Sequence, residues 1–473
     1  MTGLDSRIQA FLNRLKGKRA AFCGIGGSNL PLIRIFARAG ARVTACDKRT
    51  RERLGALADE LETLGVELRL GEGYLDRLDA DVIFRTPGMR FYTPELDRAR
   101  EQGKAVTSEM EVFFDLCPCR IYAVTGSDGK TTTTTVISEF LKEAGKRVHL
   151  GGNIGKPLLP EVDTVRPDDV AVVELSSFQL ISMRRSPDVA VVTNLAPNHL
   201  DIHKDMAEYI NAKRNIVLHQ NAFGRAVLNA DNEITAGFAK DVRGDLRWFS
   251  RRRPSSRGAW LREDGKILVG ETEVMDASEI RIPGMHNVEN YLAAISAVWG
   301  DVGPDAIRKV ARTFNGVEHR MEFVREVDGV RYYNDSIGTS PSRTISGTLS
   351  FYPGKIILLA GGYDKKLPFD ALGPAIVKKV KTLILMGATA DKIEASIKAA
   401  PGYRPGNPEI VRVGSMEEAV AAARRAAKRG DVVSLSPACA SFDMYPNFET
   451  RGNHFKKLVN SLERKREKIS WKN

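Results

Sequence analysis

The hydrophobic positions of this chain form short apolar runs that alternate with helical faces. One run rich in Ile, Tyr and Val ends at Thr125, and the next apolar positions have the spacing of one helix face: Val136, Ile137, Phe140 and Leu141. Strand, glycine turn and helix recur in this order along the chain, which predicts an α/β fold with parallel sheets.

Three domains are predicted, at 1–118, 119–316 and 317–473, in agreement with a prior of about 150 residues per domain for 473 residues. The predicted strands of the first domain follow a strand–turn–helix–strand unit at 18–47 and lie at 67–70, 81–84 and 104–106. Those of the second include 170–175 and 189–194, with helices around 207–219 and 286–299. The third has predicted strands at 329–333, 355–360, 382–386 and 431–434.

The loop after the strand at 120–125 reads T-G-S-D-G-K-T-T and opens a helix. Glycines let backbone N–H groups approach phosphate oxygens, and the helix N-terminus adds positive potential. Lys130 can then reach the outer phosphates, and the Thr131 hydroxyl can hold Mg²⁺. Val124 stands where the usual first glycine would be, which leaves a compact G-x-x-G-K-T. The pattern predicts that the chain uses ATP or GTP.

Composition narrows the class of protein. With 42% hydrophobic and 27% charged residues and no apolar run of about 18 residues, we expect a globular protein without a membrane span or signal peptide. Five cysteines suit a reducing cytoplasm, and Cys117-Pro-Cys119 is interpreted as structural. The net charge of +12 comes from scattered Lys and Arg, so we expect anionic small-molecule substrates and no nucleic acid.

Three further features predict ligand contacts. The turn G-I-G-G-S-N at 24–29 resembles a dinucleotide fingerprint with Asn29 in the place of the third glycine, and Asp47 closes the second strand. This predicts a nucleotide-like anion and leaves a redox Rossmann domain open. Glu174 ends a predicted strand, where a phosphate-loop fold holds its Mg²⁺ carboxylate, and His199 follows the next buried strand.

Several motifs occur together in the order found in the Mur ligases, and the chain resembles that family. They are T-G-S-D-G-K-T-T, G-N-I-G at 152–155, E-L-S-S-F-Q-L at 174–180, N-H-L-D at 198–201, Y-I-N-A-K at 209–213, H-N-V-E-N at 286–290 and H-R at 319–320. The resemblance implies a Rossmann-like N-terminal UDP-sugar domain, a central P-loop ATPase-like domain and a Rossmann-like C-terminal domain for the amino acid. It also implies that ATP phosphorylates a carboxylate and that an amine attacks the acyl-phosphate.

The resemblance implies a set of site residues. Catalytic roles fall on Lys130, Glu174, His199 and Lys213, and the ligands of two Mg²⁺ ions on Thr131, Glu174, His199 and a carbamylated Lys213. ATP is expected to contact Gly126, Ser127, Asp128, Gly129, Lys130, Thr131, Thr132, Asn287, Asn290, Arg320 and Asp335. The UDP-sugar is expected to contact Gly24, Ile25, Gly26, Ser28, Asp47, Thr86, Gly88 and Asn153.

The segment 434–448, S-L-S-P-A-C-A-S-F-D-M-Y-P-N-F, is similar to that of the members that add D-glutamate. This implies the substrates UDP-N-acetylmuramoyl-L-alanine and D-glutamate, with the latter held by Thr339, Lys365, Ser441, Phe442 and Phe448. Ile337 stands where many members have lysine, a cation that Lys366 or Arg343 could supply. A member adding another amino acid, such as L-alanine to UDP-N-acetylmuramate, and a non-catalytic nucleotide-binding relative remain open. We expect a cytoplasmic monomer.

Overall fold

The computed structural model describes residues 7–15, 17–197, 202–365 and 367–463. The chain divides into two compact units, residues 1–314 and 315–473. The three-domain division at residues 118 and 316 stays a prediction, although each predicted domain contains a parallel or largely parallel sheet of its own.

In the first unit, the described residues 19–107 form a five-stranded parallel sheet. In chain order its strands are β1 (Arg19–Cys23), β2 (Arg42–Asp47), β3 (Glu67–Leu70), β4 (Val82–Arg85) and β5 (Ala105–Thr107), and the spatial order is β3-β2-β1-β4-β5. The helices around it are α1 (Arg7–Arg14), α2 (Leu30–Arg38), α3 (Arg51–Leu54), α4 (Ala56–Thr63), α5 (Pro94–Glu101) and α6 (Glu109–Leu116). The strand order reverses between β1 and β4, so the loops that follow these strands meet at one edge.

The described residues 120–249 of the same unit form a six-stranded parallel sheet. Its strands are β6 (Arg120–Thr125), β7 (Val148–Gly152), β8 (Val170–Glu174), β9 (Val189–Val192), β10 (Arg225–Asn229) and β11 (Asp245–Phe249), in the order β11-β10-β9-β6-β8-β7. A small antiparallel sheet follows, with β12 (Ala259–Leu261), β13 (Lys266–Val269) and β14 (Thr272–Asp276). The helices are α7 (Lys130–Glu143), α8 (Ser177–Leu180), α9 (Met206–Leu218), α10 (Glu233–Ala236), α11 (Met285–Val298) and α12 (Pro304–Thr313).

Side-chain caps fix the starts of several helices in this unit. The Ser108 hydroxyl accepts from the Glu111 N–H at the start of α6, and the Asp205 carboxylate accepts from Glu208 at the start of α9. Ser176 and Gln179 form a capping box around α8. The capping box of α8 fixes where the chain turns into a helix directly after β8.

The second unit contains a six-stranded sheet over the described residues 322–435. Its strands are β15 (Glu322–Val327), β16 (Val330–Asn334), β17 (Ile356–Ala360), β18 (Val380–Leu385), β19 (Glu409–Arg412) and β20 (Val432–Leu435), in the order β15-β16-β20-β17-β18-β19. Only the β15–β16 pair is antiparallel among the described strands of this sheet. The helices are α13 (Pro341–Thr344), α14 (Leu372–Lys379), α15 (Ala390–Lys398), α16 (Met416–Ala426) and α17 (Phe448–Asn460).

The predicted α/β class with parallel sheets is confirmed. Both large sheets of the first unit bury apolar side chains on two faces. Ala21 and Phe22 are consecutive in β1 and belong to different core clusters, as do Ala123 and Val124 in β6. Within the described part of the chain, no helix has the length and apolarity that crossing a membrane requires.

Candidate active site

The loop between β6 and α7 has the backbone of an anion-binding turn. Gly126 has a φ of 153° and Gly129 a φ of 77°, both in the region that glycine adopts readily. A Cβ at Gly126 would overlap Thr193 Oγ1, and one at Gly129 would overlap Asn290 Oδ1. Gly129 is the N-cap of the 14-residue helix α7, so its unpaired N–H groups add positive potential at this loop.

Lys130, the first residue of α7, lies over the loop. Its Nζ donates to the carbonyls of Gly126 at 3.0 Å and Ser127 at 2.9 Å. Thr131 and Thr132 follow in the first turn of α7. This position is consistent with the Mg²⁺ contact predicted for Thr131 and the ATP contact predicted for Thr132. An ammonium in this position can turn from loop carbonyls to a bound phosphate without a change in the backbone.

The segment after β9 supports the loop from one side. The Ser127 N–H donates to the Asn194 carbonyl at 2.8 Å, and the Asp128 N–H donates to Asn194 Oδ1 at 3.0 Å. The Thr193 hydroxyl donates to the Asp128 carbonyl at 2.6 Å. Because β6 and β9 are adjacent parallel strands, the loop is fixed to its neighbour before any ligand binds.

The N-terminal part of α11 supports the loop from the other side. Asn287 and Asn290 are both buried, and Asn290 Nδ2 donates to Asn287 Oδ1 at 3.2 Å. Asn290 Oδ1 accepts from the Thr133 hydroxyl at 3.3 Å, one turn into α7. The structure therefore brings these two predicted ATP residues to the glycine loop.

Glu174 ends β8 next to the loop strand and is 1% exposed. Its Oε1 accepts from Asn153 Nδ2 at 2.7 Å, and its Oε2 is buried without a hydrogen-bond partner in the described part of the chain. A buried carboxylate oxygen of this kind is costly unless a cation or a donor joins it. Asn153, predicted to contact the UDP-sugar, is engaged with Glu174; its predicted ligand contact stays a prediction.

Lys213, on α9, is 2% exposed. Its Nζ donates to Thr125 Oγ1 at 3.0 Å and to the Gly126 carbonyl at 2.9 Å. Burial, assisted by the nearby charge of Lys130, lowers the pKa of Lys213 well below its usual value, although Glu174 opposes the shift. Burial therefore favours the neutral form of the Lys213 amine.

The residues present fit a magnesium site in part. The Oε2 of Glu174 and the hydroxyl of Thr131 are oxygen ligands of the type Mg²⁺ takes. The described residues contain no group of three or more His, Cys, Asp and Glu side chains that could hold a metal ion. His199, the predicted ligand of a second ion, lies outside the described residues.

Sequence reasoning missed a buried network beside Glu174. The His203 ring forms two hydrogen bonds. Its Nε2 lies 2.8 Å from the Ser177 hydroxyl oxygen, and its Nδ1 lies 2.9 Å from Glu208 Oε1. Its ring stacks on Phe178 with centroids 5.0 Å apart. The motif E-L-S-S-F supplied a signal for Ser177 and Phe178, but nothing local in the sequence joins them to His203.

The predicted UDP-sugar residues of the N-terminal sheet also meet. Gly24, with a φ of 99°, leaves no room for a side chain because a Cβ there would lie 2.7 Å from Thr86 Cγ2. Ser28 Oγ lies 3.4 Å from Thr86 Oγ1, so the loops after β1 and β4 touch. Asn29 Nδ2 donates to the Gly24 carbonyl at 3.0 Å and thus ties the turn together from the position of the missing third glycine. Ile25, Gly26 and Gly88 belong to the same two loops.

Asp47 closes β2 and is held by a partner that sequence reasoning missed, Arg49. The Asp47 carboxylate accepts from Arg49 Nε at 2.9 Å and from the Ile25 N–H at 2.8 Å. Burial alone would raise the pKa of Asp47, but these hydrogen bonds outweigh it and lower that pKa to about 2. Arg49 Nη2 also donates to the Ile25 carbonyl at 2.6 Å, which brings a half-exposed cation to the glycine turn.

In the second unit, the ends of β16 and β20 and the segment Ile345–Leu349 surround Asp335. Its Oδ2 accepts from the hydroxyls of Ser436 at 2.7 Å and Thr348 at 2.8 Å, and burial raises the pKa of Asp335. Arg320 is close enough to oppose that rise. The ATP contacts predicted for Arg320 and Asp335 stay predictions.

The predicted D-glutamate residues occupy the same edge of this sheet. Lys365 Nζ donates to Thr339 Oγ1 at 3.3 Å. Ser441 is buried, whereas Phe442 is exposed and packs edge-on against Tyr363. Phe448 opens α17, and its carbonyl accepts from the Ser336 hydroxyl at 2.8 Å. Of the two cations considered beside Ile337, Lys366 lies outside the described residues and Arg343 lies on α13.

Comparisons with known proteins found two matching domain families. The model of the Mur ligase middle domain matches residues 124–298, and that of the Mur ligase glutamate ligase domain matches residues 319–439. A UDP-N-acetylmuramoylalanine--D-glutamate ligase from Acetivibrio thermocellus is 53% identical over 466 residues, which cover 97% of this chain and 100% of that protein. A ligase of the same name from Clostridium botulinum (strain Hall) is 50% identical over 460 residues, with 97% and 100% covered.

Solved structures are similar in fold. A UDP-N-acetylmuramate-alanine ligase from Thermotoga maritima aligns with a TM-score of 0.54 at 19% identity, covering 94% of this chain and 99% of that one. A pseudomurein peptide ligase type C from Methanothermus fervidus aligns with a TM-score of 0.52 at 18% identity, covering 94% and 100%. At these identities the likeness concerns the fold alone.

Proposed function

Because the chain belongs to the Mur ligase family, we propose that it joins D-glutamate to UDP-N-acetylmuramoyl-L-alanine at the expense of ATP, in peptidoglycan precursor synthesis. The choice of D-glutamate is supported by two full-length relatives with that activity in their names. The predicted family is confirmed, and the family's ATP and Mg²⁺ dependence applies to this chain.

One structural observation carries the chemistry: a phosphate-type loop lies beside a buried carboxylate with one oxygen left over, Glu174 Oε2. Phosphoryl transfer from ATP to a carboxylate brings two anions together, so neutralising charge is the main demand on the site. The loop amides, the α7 N-terminus and Lys130 supply positive charge, and Glu174 with Thr131 would hold Mg²⁺. Bound there, Mg²⁺ would offset the charge on the transferring phosphate.

The proposed reaction has two steps. A carboxylate oxygen of the L-alanyl group attacks the γ-phosphorus of ATP, and ADP leaves with the electrons of the broken P–O bond. The D-glutamate amine then attacks the acyl carbon, and phosphate leaves as the amide forms and the nitrogen loses a proton. The Lys130 ammonium donates to two carbonyls of the loop, so it is close enough to contact the γ-phosphate while that group is transferred.

We propose further that Lys213 is carbamylated and supports a second Mg²⁺ together with His199. A carbamate forms when a neutral amine attacks CO₂ and releases a proton. Burial lowers the pKa of Lys213 and so favours the neutral amine, and hydrogen bonds to Thr125 and Gly126 hold the amine in place. The resulting carbamate would add oxygen ligands where the described residues offer no metal-binding group of three or more His, Cys, Asp and Glu side chains.

The remaining substrate contacts are proposals of the same kind. The touching loops after β1 and β4, with Arg49 beside them, offer N–H groups and a cation to the diphosphate of the UDP-sugar. Thr339 with Lys365 would hold the α-carboxylate of D-glutamate, and Ser441 with Phe448 its side-chain carboxylate, with Phe442 beside them. We propose a cytoplasmic monomer, since ATP and UDP-linked precursors are used there.

The test is phosphate release from purified protein with ATP, Mg²⁺ and UDP-N-acetylmuramoyl-L-alanine, across D-glutamate, L-glutamate, L-alanine and a diamino acid. We expect release that depends on D-glutamate, because both named relatives add that amino acid. Release with a different amino acid would contradict the substrate while keeping the ligase chemistry. Absence of release with all four would contradict the proposed activity itself.

A further inference from the structure

Arg451 is a buried arginine that the proposed chemistry does not yet use. It lies in the first turn of α17, three residues after Phe448, and is 2% exposed. All five of its N–H donors are engaged: Nε with Ser336 Oγ at 3.0 Å, Nη1 with the carbonyls of Cys439 at 3.2 Å and Ala440 at 3.0 Å, and Nη2 with the carbonyls of Ser336 at 2.9 Å and Cys439 at 3.2 Å.

The acceptors belong to segments that border the D-glutamate residues. Ser336 stands three residues before Thr339, and its hydroxyl donates in turn to the Phe448 carbonyl at 2.8 Å. Cys439 and Ala440 directly precede Ser441. One guanidinium therefore ties together the loop after β16, the loop after β20 and the start of α17.

The hydrogen bond from Arg451 to the Ala440 carbonyl fixes the orientation of the peptide group between Ala440 and Ser441. In a trans peptide the carbonyl of one residue and the N–H of the next point in opposite directions. The Ala440 carbonyl points at Arg451, so the Ser441 N–H points away from it. The loop thereby presents the Ser441 backbone donor to the side opposite the guanidinium, as binding of a carboxylate requires.

A glycine next to Arg451 allows the close approach. A Cβ at Gly452 would overlap His319 Nδ1, so α17 can lie against the residues before β15 only without a side chain there. Ala438, in the same loop as Ser441, has a φ of 58°, a strained conformation for a non-glycine residue. Such a backbone persists only where its surroundings hold it, and the two Cys439 bonds from Arg451 do so.

Arg451 also brings a positive charge, and it forms no salt bridge among the described residues. Its five hydrogen bonds end on four acceptor atoms, none of which is a carboxylate oxygen. Burial lowers the pKa of Arg451 to about 10, so it stays protonated at neutral pH. Its field therefore favours an anion near the ends of β16 and β20.

We propose that Arg451 is a positioning residue for the amino-acid substrate, which orients Ser441 and Phe448 toward the side-chain carboxylate of D-glutamate through their backbone. This inference rests on the proposed function. It predicts that Arg451 governs the affinity for D-glutamate and leaves the affinities for ATP and the UDP-sugar unchanged.

The test compares Arg451→Lys with Arg325→Met in the full chain. Lysine keeps the charge but its single nitrogen cannot serve three separated segments. Arg325 is the matched control, because its Nη1 holds the other end of α17 through the carbonyls of Asn460 at 2.6 Å and Leu462 at 3.3 Å. We expect the KM for D-glutamate to rise about tenfold or more in Arg451→Lys, as misplacing a charge-assisted hydrogen bond implies, and to change less than about twofold in Arg325→Met.

Two further measurements separate positioning from folding. Ser336→Ala removes only the hydroxyl between Arg451 and Phe448, so it should raise the same KM by a smaller factor. It should lower the melting temperature by only a few degrees, because a single buried donor, Arg451 Nε, loses its acceptor. In Arg451→Ala, added methylguanidinium should lower the KM for D-glutamate again. A wild-type KM for D-glutamate in Arg451→Lys and Ser336→Ala, with activity lost only as protein unfolds, would overturn this proposal alone. A wild-type protein without turnover on D-glutamate would overturn the proposed function together with it.

Discussion

Replacing Glu174 by Gln tests the metal-binding carboxylate with almost no change in shape. The glutamine Oε1 can still accept from Asn153 Nδ2, a bond of 2.7 Å in the wild type. The new amide nitrogen takes the place of Oε2, which has no partner among the described residues, so a donor is left unsatisfied at a cost of about 1–3 kcal/mol. Removal of a buried negative charge offsets part of this cost, and we expect a melting temperature close to that of the wild type.

The effect on turnover should be much larger. Glutamine offers the metal no charged oxygen, and loss of charge stabilisation in a buried phosphoryl-transfer site amounts to several kcal/mol. A loss of about 4 kcal/mol corresponds to roughly a 10³-fold fall in kcat/KM. We therefore expect kcat/KM to fall by about three orders of magnitude and the Mg²⁺ concentration for half-maximal rate to rise.

The assay is D-glutamate-dependent phosphate release over a Mg²⁺ titration, with melting temperatures measured on the same samples. Glu109→Gln is the matched control, since Glu109 is equally buried and accepts from the Leu159 N–H at 2.8 Å. It should keep the wild-type rate. If Glu174→Gln retained more than about a tenth of the wild-type kcat/KM, a loss of only about 1.4 kcal/mol, Glu174 could not be the metal ligand.

Three further predictions concern other sites in the first unit. Burial raises the pKa of Glu109 from 4.5 to about 7, so the free energy of unfolding should fall by about 3 kcal/mol as the pH rises from 4.5 through 7. The variant Glu109→Gln should not show that fall. Its melting temperature should therefore exceed that of the wild type by more at pH 8 than at pH 5. Gly129→Ala should abolish binding of an ATP analogue, whereas Gly145→Ala, with a φ of 82° and no atom near its Cβ, should show only the loss of about 1–2 kcal/mol for a left-handed residue in urea unfolding. Lys213→Ala should lose turnover and regain part of it with added acetate; no recovery would contradict carbamylation.

The central strands were predictable because they are buried on both faces. The predicted strands at 81–84 and 170–175 agree with β4 and β8 to within one residue, and the predicted helix at 286–299 agrees with α11 to the same precision. The small sheet of β12, β13 and β14 was not predicted, because short strands joined by tight turns carry little periodic signal. Edge strand β19, with the sequence E-I-V-R, was missed for the same reason.

The site was predictable where one short segment carries it. The glycine loop and Lys130 could be read from adjacent residues, since strand, turn and helix N-terminus are consecutive in the chain. Contacts between segments that are distant in the chain could not be predicted. The bonds from Asp47 to Ile25 and from Asn153 to Glu174 join residues about 20 positions apart, and Arg451 reaches Ser336 across 115 positions. Such partners depend on which strands become neighbours, and local sequence does not contain that information.

Two lysines share one acceptor at the centre of the proposed site, and this constrains their charges. Lys130 Nζ and Lys213 Nζ donate to the same Gly126 carbonyl, at 3.0 Å and 2.9 Å. Two ammonium groups at one oxygen repel each other, and the buried member loses its proton more readily because it has less water around it. Lys130 is half-buried and stays accessible to a phosphate, whereas the carbamylation that we propose would use the buried Lys213. The Gly126 carbonyl thus anchors both side chains, and their unequal burial is what would give them the different roles that we propose.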